Sequence, residues 1–158
     1  ARLSPEGELV LLDEQDRRLW DTDGIEQGRR ALERALSLRH PGPYQLQAAI
    51  ASLHYEEPVD WAQIALLYGR LAELSPSPVV DLNRAVAVAM ADGPEPGLEI
   101  VDGLSGLERY HLWHSTRAEL LRRLGRDKEA ATAYSRALEL ARSETERTFL
   151  QRRLSAVD

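Results

Sequence analysis

The chain has 158 residues, 43% of them hydrophobic and only 6% aromatic, with 20 basic against 26 acidic side chains and a formal net charge of −6. It has no cysteine, which excludes a disulfide framework, a thiolate zinc site and a cysteine nucleophile together. The acidic balance argues against a nucleic-acid surface, which needs clustered positive charge, and no apolar run reaches the roughly 18 residues of a membrane span. Alanine and leucine make up about 29% of the sequence, so the predicted core is aliphatic and the bias is toward helix.

In chain order, the segment through Leu12 reads as irregular or briefly extended, and Asp13 to Trp20 as one short helix. Gly24 to Leu38 has Ile25, Leu32, Ala35 and Leu36 on one face, before the break at His40 to Pro43. The next predicted helix runs from Tyr44 to Glu57, where Pro58 ends it, since proline can neither donate nor continue the turn. From Asp60, the residues Trp61, Ile64, Tyr68, Leu71 and Leu74 fall on one stripe, the three-and-four spacing of an amphipathic helix. Val79 to Asp92 is alanine-rich, with Ala85 and Ala89 allowing close packing.

Gly93 then precedes a short predicted helix, Glu95 to Leu104, in which Leu98 stands where a small residue is expected and Asp102 where an aromatic is expected. Tyr110 to Leu124 carries Leu112, Ala118, Leu121 and Leu124 inward, and Gly125 stops it, because glycine takes the left-handed C′ conformation without a Cβ penalty. Asp127 to Ala141 follows, with Ala130, Tyr134, Ala137 and Leu138 on one face. Glu144 to Val157, with Phe149, Leu150 and Leu154 inward and an otherwise charged surface, fits a capping helix.

The run AELLRRLGRDKEAATAYSRALEL resembles the tetratricopeptide repeat, a helix–turn–helix unit in which small residues let two helices cross and an aromatic fills the gap. Earlier segments repeat the pattern at a period of about 32 residues in weaker form. The expected fold is all-α: a right-handed superhelix of tetratricopeptide-like helix pairs over residues 24–158, closed by a C-terminal capping helix. Residues 1–23 are expected to form a linker and short helix.

Few side chains ask for chemistry. His111 and His114 have a possible metal-ligand spacing, yet two ligands make no site and nothing nearby supplies the rest. Glu56 and Glu57 are adjacent and diverge on a helix, so they cannot pair as acid and base. Gly103 to Gly106 lacks the lysine and hydroxyl of a phosphate loop, and no serine sits in a nucleophile elbow. Neither enzyme activity nor a cofactor is expected.

Arg117, Arg122, Arg123 and Arg126 form the strongest basic cluster, read as a solvated face paired with Glu119, Asp127 and Glu129 in preference to an anion-contacting surface. The first helix of each pair should line a concave groove, presenting Leu46, Ala49 and Leu53, then Asn83 and Ala87, then Ser115 and Glu119. Asn83 and Arg84 suit a peptide backbone or carboxylate, or equally hydrogen bonds between repeats. Ala49 and Leu53 stand where a two-carboxylate clamp would need polar residues, which argues against a receptor for chaperone tails. A small-ligand sensor enclosing a molecule near Tyr55, Asn83, Arg84 and Trp113, or a stand-alone scaffold, are the alternatives to a protein-interaction module.

Four stretches go beyond a generic repeat: GELVLLDEQDRRLWD from Gly7, PGPYQLQAAIASLH from Pro41, DWAQIALLYGRLAELSPSPVVDLNRAVAVAMADGP from Asp60, and YHLWHSTRAELLRRLGR from Tyr110. Together they resemble the C-terminal extension of a subgroup of bacterial extracytoplasmic-function (ECF) sigma factors. The resemblance implies a cytoplasmic regulatory domain joined to a sigma core, modulating transcription initiation by contacts with that core, RNA polymerase or a regulatory protein. It implies no direct nucleic-acid contact through these residues and no membrane. Family members carry an acidic Asp-Gly-containing motif where the extension joins the core. Here Ser4-Pro5-Glu6-Gly7-Glu8 matches only its Gly-Glu end, making Glu6, Gly7 and Glu8 candidates for core contact or a solvated linker.

Overall fold

The computed structural model describes residues 4, 10, 15–36 and 42–157, with only the backbone of residues 31–36. The expected inward side chains Leu32, Ala35 and Leu36 lie outside that description, as do Glu6, Gly7, Glu8 and the opening segment. Among the described residues every regular element is helical: α1 (Thr22–Leu36), α2 (Pro43–Leu53), α3 (Trp61–Leu74), α4 (Pro78–Ala91), α5 (Pro94–Gly103), α6 (His111–Arg123), α7 (Asp127–Leu140) and α8 (Glu144–Ser155). Asp13 and Glu14 lie outside the description, and the rest of the short helix expected there is a single 3₁₀ turn, Arg17–Leu19, capped by Asp16.

Six of these eight helices start where a first-turn N–H finds a side-chain acceptor or a proline removes the need for one. Pro43, Pro78 and Pro94 each occupy a first helical position, where the missing N–H costs nothing. Asp60 accepts from the Gln63 N–H at 2.9 Å, and Asp21 accepts from the Gly24 N–H at 2.9 Å, so α1 begins two residues before Gly24. Ser143 and Glu146 form a reciprocal capping box at the start of α8.

α2 stops four residues short of Glu57. The Tyr55 and Glu56 N–H groups donate to the Ser52 and Leu53 carbonyls, the i→i+3 bonds that tighten a last helical turn. Gly125 behaves as its sequence position suggests. At φ 71° it follows α6, its N–H donates to the Arg122 carbonyl and the Arg126 N–H to the Leu121 carbonyl, the paired bonds of a Schellman stop.

Two compact bodies result. One is Asp21–Ser105, with α1 to α5; the other includes α6 to α8. In the first body, helices neighbouring in sequence pack in turn: α1 on α2, α2 on α3, α3 on α4 and α4 on α5. Its core joins Leu46, Ile50 and Leu53 of α2 to Ile64 and Leu71 of α3 and Ala87 of α4, with Trp61, Tyr68 and Val80 packed around them. Leu74, expected on the same inward stripe, is exposed instead.

α4 and α5 are joined by Asp92 and Gly93 alone, and here the expected register is off by one residue. Gly93, at φ 104° and ψ 166°, directly caps α5, whereas Gly125 and Arg126 both precede α7. Counted from the first helical residue, Gly97 therefore matches Ala130, and Val101 matches Tyr134. All four are buried, while Asp102 is exposed. A Cβ on Gly97 would lie 2.5 Å from the Ala89 Cβ and 2.8 Å from the Ala85 carbonyl oxygen. The small residue the sequence reading sought at Leu98 is Gly97.

In the second body α6 packs on α7 and α7 on α8, with Ala118, Leu121, Ala130, Tyr134, Ala137 and Leu150 buried. Leu112, expected inward, is 45% exposed.

Candidate interaction surface

α2 and α4 expose the same positions, and α6 shares the first of them. The second residue of each is a large apolar side chain turned outward: Tyr44, 84% exposed, then Val79 and Leu112. Steps of four, three and four residues keep to one helical face. They continue as Ala48 and Ala51 in the first case, with Tyr55 just past the end of α2, and as Asn83, Val86 and Met90 in the second. All eight of these residues are exposed. In α6 the row is Leu112, Thr116, Glu119 and Arg123, of which Thr116 and Glu119 are half-buried. The rows are offset by 35 and then 33 positions.

The residues expected to line a groove divide accordingly. Leu46, Leu53 and Ala87 belong to the core of the first body, so their side chains offer no surface to a partner. Ala49 is half-buried beside them. The inward face of α2 is the one the sequence reading assigned to the groove, and the outward row Tyr44–Ala48–Ala51 was missed because tyrosine and alanine also suit a core. Asn83 and Tyr55 do lie on exposed rows. Arg84 does not share Asn83's face. One residue on, and so about 100° around the helix, it is half-buried with its Nη1 3.9 Å from Asp81.

In the second body Trp113 is half-buried, its ring set edge-on against His114 at 4.6 Å between centroids. Ser115 donates its hydroxyl to the Leu112 carbonyl at 3.1 Å, a local bond within α6. Glu119 is engaged within the fold: it accepts from the Tyr134 hydroxyl at 2.7 Å and from Arg122 at 2.6 Å and 3.1 Å. Burial raises its pKa, but the hydrogen bonds from Arg122 and Tyr134 prevail and hold the carboxyl below its ordinary value. Tyr134 is pushed the other way, by burial and by the adjoining carboxylate.

The two histidines do not converge on one ligand. His111 Nε2 is 3.4 Å from Glu146 Oε1, an ion pair only when the ring is protonated, while His114 Nε2 is 2.9 Å from the Glu108 carbonyl oxygen. No group of three or more potential metal ligands occurs among the described residues. In the arginine cluster, Arg122 pairs with Glu119 and Arg126 with Glu129, each within one turn.

Charge is unevenly spread. Residues 42–105 hold nine carboxylates and two arginines, a net −7, while residues 106–158 hold eight carboxylates against eleven basic residues, a net +3. The whole-chain value of −6 hides the positive block, because the rest of the chain outweighs it. On α5 the row Glu95, Glu99 and Asp102 is exposed, opposite the buried Gly97, Leu98 and Val101.

Residues 1–36 match the model of a family of unknown function, DUF6596. The chain is also similar to an uncharacterized protein of Rhizobium meliloti (strain 1021), 46% identical over 159 residues that cover 98% of this chain and 38% of that protein. It thus spans well under half the length of that relative. No helix among the described residues is long and apolar enough to cross a membrane.

Proposed function

We propose that this chain is a protein-interaction and regulatory domain of an ECF-type sigma factor, with tetratricopeptide-like helix pairs arranged as a right-handed superhelix. It acts by docking segments of other proteins, or of its own sigma core, and not by catalysis. The observation that carries this reading is the recurrence of an exposed large apolar residue at the second position of α2, α4 and α6. Its two offsets of 35 and 33 positions bracket the 34-residue tetratricopeptide period. An outward apolar residue at the same place in three helices is not explained by core packing. Repeat proteins use such rows to line a binding surface.

The resemblance of four sequence stretches to the C-terminal extension of ECF sigma factors supports a role in transcription, and a domain of this kind would tune sigma activity through contacts with the core, RNA polymerase or a regulatory protein. The test is deletion of residues 24–158 from the full-length parent protein, followed by transcription from its target promoter. The expected result is altered transcription while the core keeps its fold and its polymerase binding. Unchanged transcription overturns the reading.

A further inference from the structure

The α4 row Val79–Asn83–Val86–Met90 combines exposure, apolar character and a strongly charged setting. Ala85 and Ala89 face α5, where Gly97 meets them, and Val80 and Ala87 face the core shared with α2 and α3. A 100° step per residue puts the exposed row between those two packed sides, so a ligand helix laid along it would also meet the flanks of α3 and α5. Val79, Val86 and Met90 are 39%, 37% and 42% exposed, and Asn83 at the centre supplies an amide donor and acceptor. Asp92 lies just past Met90. Because α5 returns antiparallel after two residues, the same helical step places Asp102 on the side of the pair to which the row opens.

We propose that this row is the docking face for a basic amphipathic helix of a protein partner, its apolar side on Val79, Val86 and Met90 and its cations toward the carboxylates. The proposal rests on the reading of the chain as an interaction domain. Charge complementarity chooses the occupant. The surrounding block of residues 42–105 has net charge −7, and its two arginines are matched in-chain, Arg70 by Glu73 and Arg84 by Asp81. In a second copy three of the cations of residues 106–158, Arg122, Arg126 and Arg136, are already bridged by Glu119, Glu129 and Glu139, and its binding here is an outcome the test separates. An anionic segment would be repelled by the net negative charge of this block, and a purely apolar one would gain nothing from it.

The probe is a fluorescein-labelled helix of leucine and lysine in amphipathic spacing, about 15 residues long so that it can hold a helix. It is titrated against the whole chain by fluorescence anisotropy. The controls are a scrambled peptide of identical composition and one with glutamate replacing every lysine. The amphipathic basic peptide should bind, and both controls should bind at least about tenfold more weakly. The double substitution Val86→Ser with Met90→Ser should also cost about tenfold, since it removes the apolar centre of the contact. Neutralising Asp92 and Asp102, the carboxylates beside the row, should weaken binding further and flatten its dependence on salt.

Circular dichroism confirms that each variant keeps its fold. Equal binding of the scrambled peptide, or indifference to the Val86/Met90 change, overturns the proposal. So does sedimentation showing a dimer that the same change dissolves, because the occupant is then a second copy. If deletion of residues 24–158 alters transcription while the peptide fails to bind, the docking face is wrong and the domain reading stands. Peptide binding with unchanged transcription rejects the domain reading itself.

Discussion

The α4–α5 and α6–α7 hairpins answer one packing problem in different ways. In each, the fourth residue of the second helix is the point of close approach and the eighth is wholly buried. α5 has Gly97 and Val101 there, and α7 has Ala130 and Tyr134. With no side chain at all, Gly97 lets the Ala85 and Ala89 backbone come close, and a valine fills what remains. In the other hairpin an alanine stands at the fourth position and a tyrosine ring at the eighth, whose buried hydroxyl needs a partner. Glu119 is that partner, at 2.7 Å. This removes Glu119 from the exposed row that its α4 counterpart, Val86, keeps. One hairpin fills its core with apolar groups alone and leaves Val86 outward; the other diverts an outward position to serve its core.

The largest way to disturb this contrast is to empty the two buried positions in turn. Tyr134→Ala should destabilise the chain by about 3–5 kcal/mol, the range for truncating a large buried aromatic side chain. Val101→Ala, which deletes two methyl groups, should cost about 2 kcal/mol. Urea denaturation of the two variants gives the comparison directly, and equal losses would show that the two positions are not counterparts.

The approach points come next. Gly97→Ala gains about 0.5–1 kcal/mol of helix propensity but drives a methyl against the Ala85 carbonyl and the Ala89 methyl. Backbone cannot move aside as a flexible side chain can, so overpacking of about 1–3 kcal/mol should dominate and lower the melting temperature. A melting temperature above that of the parent would remove the close approach as an account of this hairpin.

This glycine also marks where the sequence stopped being legible. Helix existence and type were readable along nearly the whole chain, because alanine and leucine recur at helical spacing and Asp60, Pro78, Pro94, Gly125 and Ser143 punctuate it. The α5 register was not, because aligning Gly93 with Gly125 assumes equal connections, and the former caps its helix directly. A one-residue difference in a loop is invisible to periodicity, yet it exchanged Leu98 and Asp102 for Gly97 and Val101. The exposed rows were half legible. Asn83 and Tyr55 were found, but Leu46, Ala49 and Leu53 were assigned outward because an aliphatic helix such as α2 does not declare its buried face. Glu119 was placed on the groove, since its bond to Tyr134 spans 15 residues and leaves no local pattern.

A smaller effect tests the polar half of the contrast. Tyr134→Phe keeps the ring and removes the bond to the half-buried Glu119, which should cost about 1 kcal/mol. The pH dependence separates the two partners. The Glu119 carboxyl is held below its ordinary value of 4.5, so its contribution is complete above that pH and is lost as pH falls through the folded-state value. The Tyr134 hydroxyl is held above its ordinary 10.0, so its contribution is complete below pH 10 and declines as pH rises beyond it. Glu119→Gln should therefore flatten the acid limb of the stability curve, and Tyr134→Phe the alkaline limb. Identical curves for parent and variants would mean the bond contributes nothing.

The smallest expected change sharpens the comparison most, because it concerns a glycine that resembles Gly97 on paper. Gly69 lies in the middle of α3, and a Cβ built there meets nothing within 4 Å. This glycine serves neither a close approach nor a positive φ, so it carries only the entropic cost of holding a residue without a side chain in a helix. Gly69→Ala should accordingly stabilise by about 0.5–1 kcal/mol and raise the melting temperature by about 1–4 °C. The same substitution at Gly97 should move it the other way. Opposite signs at two mid-helix glycines would tie the difference to what lies across the helix interface, since propensity treats the two alike. A loss at both would place an unrecognised contact against α3 and make the Gly97 result uninformative about the α4–α5 approach.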